Sequence, residues 1–231
     1  MSNLTPDPGQ SRNDGRDLEL LNRLDALHVA VISDSLDHIG IRSNVMDPHI
    51  RPLVPESRFS GFAATVKLGT VESAPEDSAD WYRKEIEAIE EMQPGDVLVG
   101  STCHRSYWGE LLATTSIFHG VRGMVGDAYT RDSAALRELG FPVFVAGIHA
   151  QDSLGRVEVE DAGVPIECGG VNVKQGDLIV GDPDGVVVIP SEVAEEVITW
   201  AEDKIAKENE MRIELKDGAS LSETFSKYKV L

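Results

Sequence analysis

The sequence of 231 residues contains only two cysteines, Cys103 and Cys168, which are far apart and not in metal-ligand spacing. This excludes a disulfide framework and a structural zinc site. No apolar run approaches the roughly 18 residues that a membrane-spanning helix needs. The polar N-terminus also lacks the apolar segment of a signal peptide. These absences predict a soluble protein of the cytoplasm with no membrane partner.

Positive charge is also scarce: 21 Lys and Arg residues stand against 40 Asp and Glu residues, for a formal net charge of -19. A surface of this charge repels phosphate backbones, so we expect no nucleic-acid partner. An enzyme with such a surface must build a local positive pocket if its substrate is an anion. An arginine in a polar loop is therefore a feature to look for.

The length and the composition, 41% hydrophobic and 26% charged, fit a single globular domain. Residues 1–16 are rich in Pro, Gly, Asn and Asp, which predicts a mobile N-terminal tail. Residues 17–231 are expected to form one α/β domain, which includes a long amphipathic C-terminal helix from Ser191.

Strands and helices alternate at short spacing in the middle of the chain. This order is typical of parallel strands joined by helical crossovers. The predicted strands are Val97–Gly100, Gly123–Gly126 and Pro142–Val145; the helices between them are 108–118, with Trp108, Leu111, Leu112 and Phe118 on one face, and Ser133–Leu139. Other predicted elements are a helix starting near Ser33 or Asp34 and ending at Gly40, a strand over Ala63–Leu68, a helix over Trp81–Met92, and several short strands in 157–190.

Two polar loops follow neighbouring predicted strands, at 101–110 and at 127–132. Ligands of open parallel sheets lie beyond the carboxyl ends of the strands. We therefore expect Glu110, Arg131 and Asp132 to meet at one edge of the sheet.

Each of these residues has a role that its chemistry suits. The free amides at the helix start, from Glu110 to Leu112, can bind a carboxylate. Arg131 can bridge a carboxylate and a keto oxygen. Asp132 offers a hard oxygen ligand for Mg²⁺ or Mn²⁺, and Glu110 can hold the waters of that cation. From the residue types alone, a solvated Arg-Asp pair and a packing or capping role for Gly109 remain open alternatives.

Around these residues the sequence resembles the RraA-like family, which includes class II 4-hydroxy-4-methyl-2-oxoglutarate / 4-carboxy-4-hydroxy-2-oxoadipate aldolases. The family signature is an acidic residue, twenty intervening residues and Arg-Asp, matched here by Glu110 and Arg131-Asp132. The resemblance covers roughly residues 28 to 228. Its other matches are Trp108 to Ala113, Gly120 to Gly123, Ser33-Asp34 with Gly40, Pro142 to Phe144, Gly169 to Val171, Gly176-Asp177 and Asp182 to Pro190.

The resemblance implies a layered α/β/β fold of the swivelling-domain type, with a partly parallel sheet, flanking helices and assembly as a trimer or hexamer. It implies a metal-dependent lyase that releases pyruvate from a 4-hydroxy-2-oxo acid and decarboxylates oxaloacetate as a side activity. Asp132 would bind the metal directly and Glu110 through water. Arg131 and the segment Gly109, Leu111 and Leu112 would bind the 2-oxo acid.

Two carboxylates from elsewhere in the chain are also implied. Asp34 stands where these aldolases have a helix carboxylate near the site, and Glu208 aligns with a glutamate that reaches the site from a neighbouring subunit. Glu210 lies close to Glu208 and is an alternative for that role. Two departures affect the substrate: the aldolases usually have Asp where this chain has Glu110, and an acidic residue where it has Ala135.

Other functions remain as alternatives. One is a related lyase or decarboxylase acting on another 2-oxo acid. The other resembles the family branch that binds and inhibits RNase E without catalysis. Four side chains near the predicted site could contact the distal part of a substrate or serve loop polarity and packing: His104, Arg105, Tyr107 and Tyr129. The histidines show no paired spacing, which argues against a His-based metal site.

Overall fold

The computed structural model describes residues 18–231, so the predicted tail over 1–16 lies outside the described residues. The helices are α1 (Leu18–Leu24), α2 (Val29–His38), α3 (Arg83–Glu90), α4 (Glu110–Phe118), α5 (Ser133–Leu139), α6 (Ala194–Lys216) and α7 (Leu221–Tyr228). The strands are β1 (Arg51–Pro52), β2 (Phe59–Thr70), β3 (Asp96–Gly100), β4 (Ser106–Trp108), β5 (Gly123–Thr130), β6 (Val143–Ile148), β7 (Val157–Ala162), β8 (Ile166–Cys168), β9 (Val171–Val173), β10 (Leu178–Asp182) and β11 (Gly185–Ile189).

Nine of these strands form one mixed, nearly closed sheet in the order β1-β6-β5-β3-β2-β10-β11, with β4 beside β5 and β7 beside β2. The neighbours β3, β5 and β6 are parallel, as predicted for the middle of the chain, and β2 also runs parallel to β3. β10 and β11 continue the sheet in antiparallel fashion, while β8 and β9 form a separate hairpin. The helices flank this sheet, which confirms the predicted mixed α/β fold.

The central strand β3 shows that the sheet is covered on both of its faces. All five of its residues are buried. Val97 and Val99 pack in one hydrophobic cluster and Leu98 packs in another, because successive side chains of a strand point to opposite faces. Within residues 18–231, no helix combines the length and the apolar character needed to cross a bilayer.

Helix α2 begins earlier than the sequence predicts, at Val29 instead of near Ser33 or Asp34. The acceptors for its first amides are not the Ser, Thr, Asp or Asn side chain that usually caps a helix from the preceding residue. Val29 N donates to Asp182 Oδ2 at 2.9 Å, and Val31 N donates to the N-cap residue His28 at Nδ1, at 3.2 Å. Because Asp182 comes from β10, this start depends on tertiary structure and not on the local sequence.

The apolar face predicted for 108–118 is wrong. Trp108 belongs to the short strand β4 and is fully buried, whereas Leu111 and Phe118 on α4 are 77% and 60% exposed. The buried positions of α4 are the small residues Ala113 and Ser116. The helix therefore turns most of its large apolar side chains away from the core.

Candidate active site

The predicted site lies where β4 and β5 end side by side. β4 runs parallel to β5, with Trp108 opposite Thr130. Arg131 N then donates to Trp108 O at 2.9 Å, which carries the pairing one residue beyond the end of β5. This pairing brings the start of α4 next to Arg131 and Asp132, as the topology predicted.

The loop before α4 and the loop after β5 meet through a backbone amide of the first and a side chain of the second. Glu110 N donates to Asp132 Oδ2 at 3.2 Å. The Glu110 carboxylate itself accepts from Thr114 Oγ1 at 2.8 Å. The amides of Leu111 and Leu112 lie in the same first turn, where N–H groups have no intrahelical acceptor. The start of α4 therefore presents donors beside the Asp132 carboxylate.

Gly109 is required by this close approach. A Cβ atom at this position would lie 2.8 Å from Asp132 Oδ2. The backbone of Gly109 is extended, with φ at -154°, so its lack of a side chain, and not an unusual conformation, is what the site needs. Gly109 thus has a specific role that a generic capping residue would not have.

Asp132 is held in the left-handed region, with φ at 54° and ψ at 33°. Only three non-glycine residues in the described part of the chain have positive φ, namely Tyr82, Asp132 and Lys229. Asp tolerates this region better than most residues, but the conformation still carries strain, which is typical of functional sites.

Arg131 lies between two carboxylates. Its Nε is 3.5 Å from Asp132 Oδ2, and its Nη1 donates to Asp152 Oδ1 at 2.8 Å. The side chains of Arg131 and Asp132 are 38% and 42% exposed, so both remain accessible to a ligand. Asp152 was not among the residues predicted from the sequence, although it follows the carboxyl end of β6 and therefore lies at the predicted edge.

A further carboxyl group, that of Glu85 on α3, is buried near Asp152. Burial, assisted by the nearby negative charge of Asp152, raises the pKa of Glu85 to about 8. Glu85 is therefore neutral over most of the physiological range. A neutral group here adds no further negative charge beside Asp152.

The donor set fits a hydrated hard cation. In residues 18–231 no group of three or more His, Cys, Asp or Glu side chains is arranged to hold a metal ion. Zn²⁺ would need such a group, whereas Mg²⁺ keeps several waters and takes only one or two carboxylates. Asp132 could supply the one direct ligand, and the assignment of Mg²⁺ or Mn²⁺ to Asp132 with Glu110 holding its waters stays a prediction.

Asp34 and Glu208 lie in a different place from Arg131. Both contact Lys204 on α6, whose Nζ is 2.6 Å from Asp34 Oδ2 and 3.6 Å from Glu208 Oε1. Among the described residues, no hydrogen bond or ion pair links these two carboxylates to Glu110, Arg131 or Asp132. The predicted approach of Glu208 from a neighbouring subunit stays a prediction, and so does the predicted place of Asp34 near the site. Glu208 shares the cluster with Asp34, while Glu210 is exposed.

The side chains considered for distal substrate contacts divide into two groups. Tyr107 is buried, and its hydroxyl has no hydrogen-bond partner within residues 18–231, so Tyr107 packs in the core. His104 and Arg105 are exposed. Arg105 lines a cavity of about 770 Å³ together with Arg156 and the turn that follows Asp152. None of Glu110, Arg131 and Asp132 lines this cavity.

Comparison with known proteins identifies the class. Residues 29–188 match the RraA-like family, described as Aldolase/RraA, and the chain belongs to this family. This confirms the resemblance drawn from Glu110 and Arg131-Asp132.

Individual relatives carry two kinds of name. A protein of Halalkalibacterium halodurans, provisionally named a 4-hydroxy-4-methyl-2-oxoglutarate aldolase, is 32% identical over 82% of this chain and 85% of its own length. The crystal structure of Streptomyces coelicolor RraAS2, described as an unusual member of the RNase ES inhibitor RraA protein family, is 31% identical with a TM-score of 0.73, over 85% of this chain and 97% of that one. An uncharacterized protein from Pseudomonas syringae has a TM-score of 0.78 at 27% identity, over 90% of this chain and 97% of its own.

Proposed function

We propose that this chain is a divalent-metal-dependent lyase that cleaves a C–C bond in a 4-hydroxy-2-oxo acid and releases pyruvate, with oxaloacetate decarboxylation as a side activity. The observation that carries the proposal is the meeting of the Arg131 guanidinium, the Asp132 carboxylate and the start of α4 at one edge of the sheet. The aldolase name of the relative that is 32% identical supports the same class.

The proposed binding mode follows from the charges of the site. The carboxylate of a 2-oxo acid would accept from the free amides of Leu111 and Leu112, where the helix start favours an anion. Arg131 would donate to the keto oxygen and to the carboxylate. Asp132 would hold Mg²⁺ or Mn²⁺, which supplies Lewis-acid stabilisation of the charge that develops on the substrate.

The chemical step requires a base and a stabilised enolate. When the 4-hydroxyl loses its proton, the C3–C4 bond breaks, C4 becomes a carbonyl carbon, and the electron pair moves into the pyruvate enolate. Arg131 stabilises the negative charge on the enolate oxygen, and protonation at C3 completes pyruvate. In oxaloacetate the same bond breaks with loss of CO₂. We assign the base to Asp34 or Glu208 of the partner subunit, because neither reaches Arg131 within one chain.

The assembly is part of this proposal. Arg131 and Asp132 are 38% and 42% exposed, and Leu111 beside them is 77% exposed. A trimer or hexamer with sites at the subunit interfaces would cover this surface and exclude water from the enolate.

Release of pyruvate from oxaloacetate tests the proposal. The protein is incubated with oxaloacetate and Mg²⁺ or Mn²⁺, with and without chelator. We expect turnover that stops with chelator and falls by about a hundredfold to a thousandfold in Arg131→Ala. Arg137→Ala, which removes an exposed arginine of α5, is the matched control and should retain activity.

A second candidate function is binding and inhibition of an RNase E-type endonuclease. The likeness to RraAS2 favours it, and the net charge of -19 fits a basic partner surface. Absence of turnover with every 2-oxo acid, together with tight binding of such an endonuclease, would support this candidate over the lyase.

A further inference from the structure

Arg131 has a second anionic partner that the family signature does not include. Its Nη1 donates to Asp152 Oδ1 at 2.8 Å, 21 residues along the chain, while its Nε lies 3.5 Å from Asp132. Among residues 18–231, Nη2 has no hydrogen-bond acceptor in the protein. Two positions of the guanidinium are therefore held by carboxylates, and one is free to bind a ligand.

Asp152 is itself held in place from two other sides. Its Oδ2 accepts from the Tyr82 hydroxyl at 2.6 Å, and its Oδ1 also accepts from Ser153 N at 2.9 Å. Burial and the Asp152 carboxylate raise the pKa of Tyr82 to about 12, so the hydroxyl remains a donor throughout the neutral range. The carboxylate that contacts Arg131 therefore has a fixed orientation.

Tyr82 is placed by an unusual backbone conformation. It lies immediately before α3 with φ at 56° and ψ at 10°. Positive φ is costly for a bulky residue and persists only where the surrounding structure determines it. Tyr82 and Asp132, two of the three non-glycine residues with positive φ in the described part of the chain, therefore lie at the two ends of one line of contacts: Tyr82, Asp152, Arg131, Asp132.

We propose that Asp152, anchored by Tyr82, is a positioning residue that fixes the Arg131 guanidinium in the orientation in which it binds the 2-oxo acid. This inference rests on the proposed function of the same site. An arginine side chain has several free torsions, and immobilising it before the ligand arrives removes an entropic cost from binding and from the reaction.

A competing role for Asp152 is to block Arg131 until a substrate carboxylate displaces it. The geometry favours positioning over blocking, because Tyr82 and Ser153 hold Asp152 and the free Nη2 leaves room for a ligand without displacement. The two roles predict opposite changes in KM. A half-exposed ion pair contributes little to folding. A purely structural role for Asp152 would therefore leave both kcat and KM unchanged when its charge is removed.

The test compares Asp152→Asn with the wild type in kcat, KM and Tm. Asn keeps an acceptor oxygen for Ser153 N but removes the charge that holds Arg131, and its amide nitrogen donates to the Tyr82 hydroxyl oxygen where the carboxylate accepted from it. We expect kcat/KM to fall about tenfold to a hundredfold, KM to stay equal or rise, and Tm to stay nearly unchanged. Tyr82→Phe should give a smaller loss in the same direction, and Glu138→Gln, an exposed carboxylate on α5, is the matched control.

Coupling to Arg131 is the decisive readout. In an Arg131→Ala background, Asp152→Asn should cause no further loss, because Asp152 acts only through Arg131. Unchanged kinetics in Asp152→Asn, a fall in KM, or an equal loss in the Arg131→Ala background would overturn the inference. If the wild type turns over no 2-oxo acid, the proposed function fails, and the inference is then judged by oxalate binding, which Asp152→Asn should weaken and Glu138→Gln should not.

Discussion

Two clusters contain the charged residues that were expected to act together, and they differ in how far their cation is exposed to solvent. The strand-end cluster, Glu110, Arg131, Asp132 and Asp152, has a guanidinium that is 38% exposed. The helix cluster, Asp34, Lys204 and Glu208, has an ammonium group on a side chain that is only 9% exposed. A half-exposed cation can bind an incoming anion, whereas a buried and paired one holds its own carboxylates in place.

This difference indicates complementary roles for the two clusters. The strand-end cluster offers a cation and helix amides to a ligand. In the helix cluster, Asp34 keeps 49% of its side chain exposed although it is paired with Lys204. A carboxylate held in this way stays accessible to a group outside its own cluster. The following predictions test this division, from the largest expected effect to the smallest.

Asp132→Ala should have the largest effect on the strand-end cluster. It removes the proposed direct ligand of the cation, so Mg²⁺ should no longer stimulate activity, and the rate should fall about a hundredfold to a thousandfold. Activation curves measured against Mg²⁺ concentration check this, with circular dichroism to confirm the fold. Unchanged activation by Mg²⁺ would refute the ligand assignment.

Gly109→Ala should lower the activity about tenfold to a hundredfold, since small misplacements of catalytic groups are costly. The added Cβ would lie 2.8 Å from Asp132 Oδ2 and displace the carboxylate. Gly147→Ala is the control, because its added methyl group would meet Tyr129 at an ordinary 3.4 Å. Steady-state rates of both variants decide whether the close approach at Gly109 matters.

Mixing two inactive variants tests whether the helix cluster acts across a subunit interface. Arg131→Ala and Glu208→Gln should each be nearly inactive alone. After unfolding and joint refolding at equal amounts, about a quarter of the sites should combine an intact Arg131 with an intact Glu208 from a neighbour. Recovered activity near that fraction is expected. No recovery, in an assembly shown to be mixed, would place Glu208 outside the site.

The smallest effect on activity is expected at the buried Glu85 behind the strand-end cluster, whose titration affects stability. Its pKa of about 8 in the folded protein is above that of an unfolded chain, so the folded state binds the proton more tightly. Stability from this group is therefore greatest at low pH and falls as pH rises towards 8, by up to about 1.4 kcal/mol per pH unit.

Glu85→Gln should flatten this dependence, because Gln resembles the protonated carboxyl group and does not titrate. Free energies of unfolding measured at several values between pH 5 and pH 8 give the slope. Glu87→Gln, on the exposed side of the same helix, should keep the wild-type slope. Equal slopes in the wild type and Glu85→Gln would show that Glu85 is already ionised in the folded protein.

Local sequence signals predicted much of the fold. Gly120 and Gly140, with φ at 75° and 68°, end α4 and α5 as expected. The parallel strands of the middle region were also predicted, because apolar runs alternate there with helical segments. The three-residue strand β4 was missed, since Ser106 to Trp108 is too short to show a period. The early start of α2 was missed because Asp182 is distant in sequence.

The part of the site that could be predicted is the part whose position follows from the order of the parallel strands. Glu110, Arg131 and Asp132 follow parallel strands, and their meeting required no further information. Asp152 follows β6 in the same way, so the rule would have found it if it had been applied to one more strand. The Lys204 cluster could not be predicted, because it depends on how α6 packs against α2.

Calorimetric titration with oxalate, a dianion that resembles the pyruvate enolate, tests the central claim most directly. The wild type should bind oxalate saturably in the presence of Mg²⁺ and only weakly without it, and both Arg131→Ala and Asp132→Ala should lose this binding. Binding of equal strength with and without Mg²⁺, or retained by either variant, would contradict a single site shared by the cation and the 2-oxo acid.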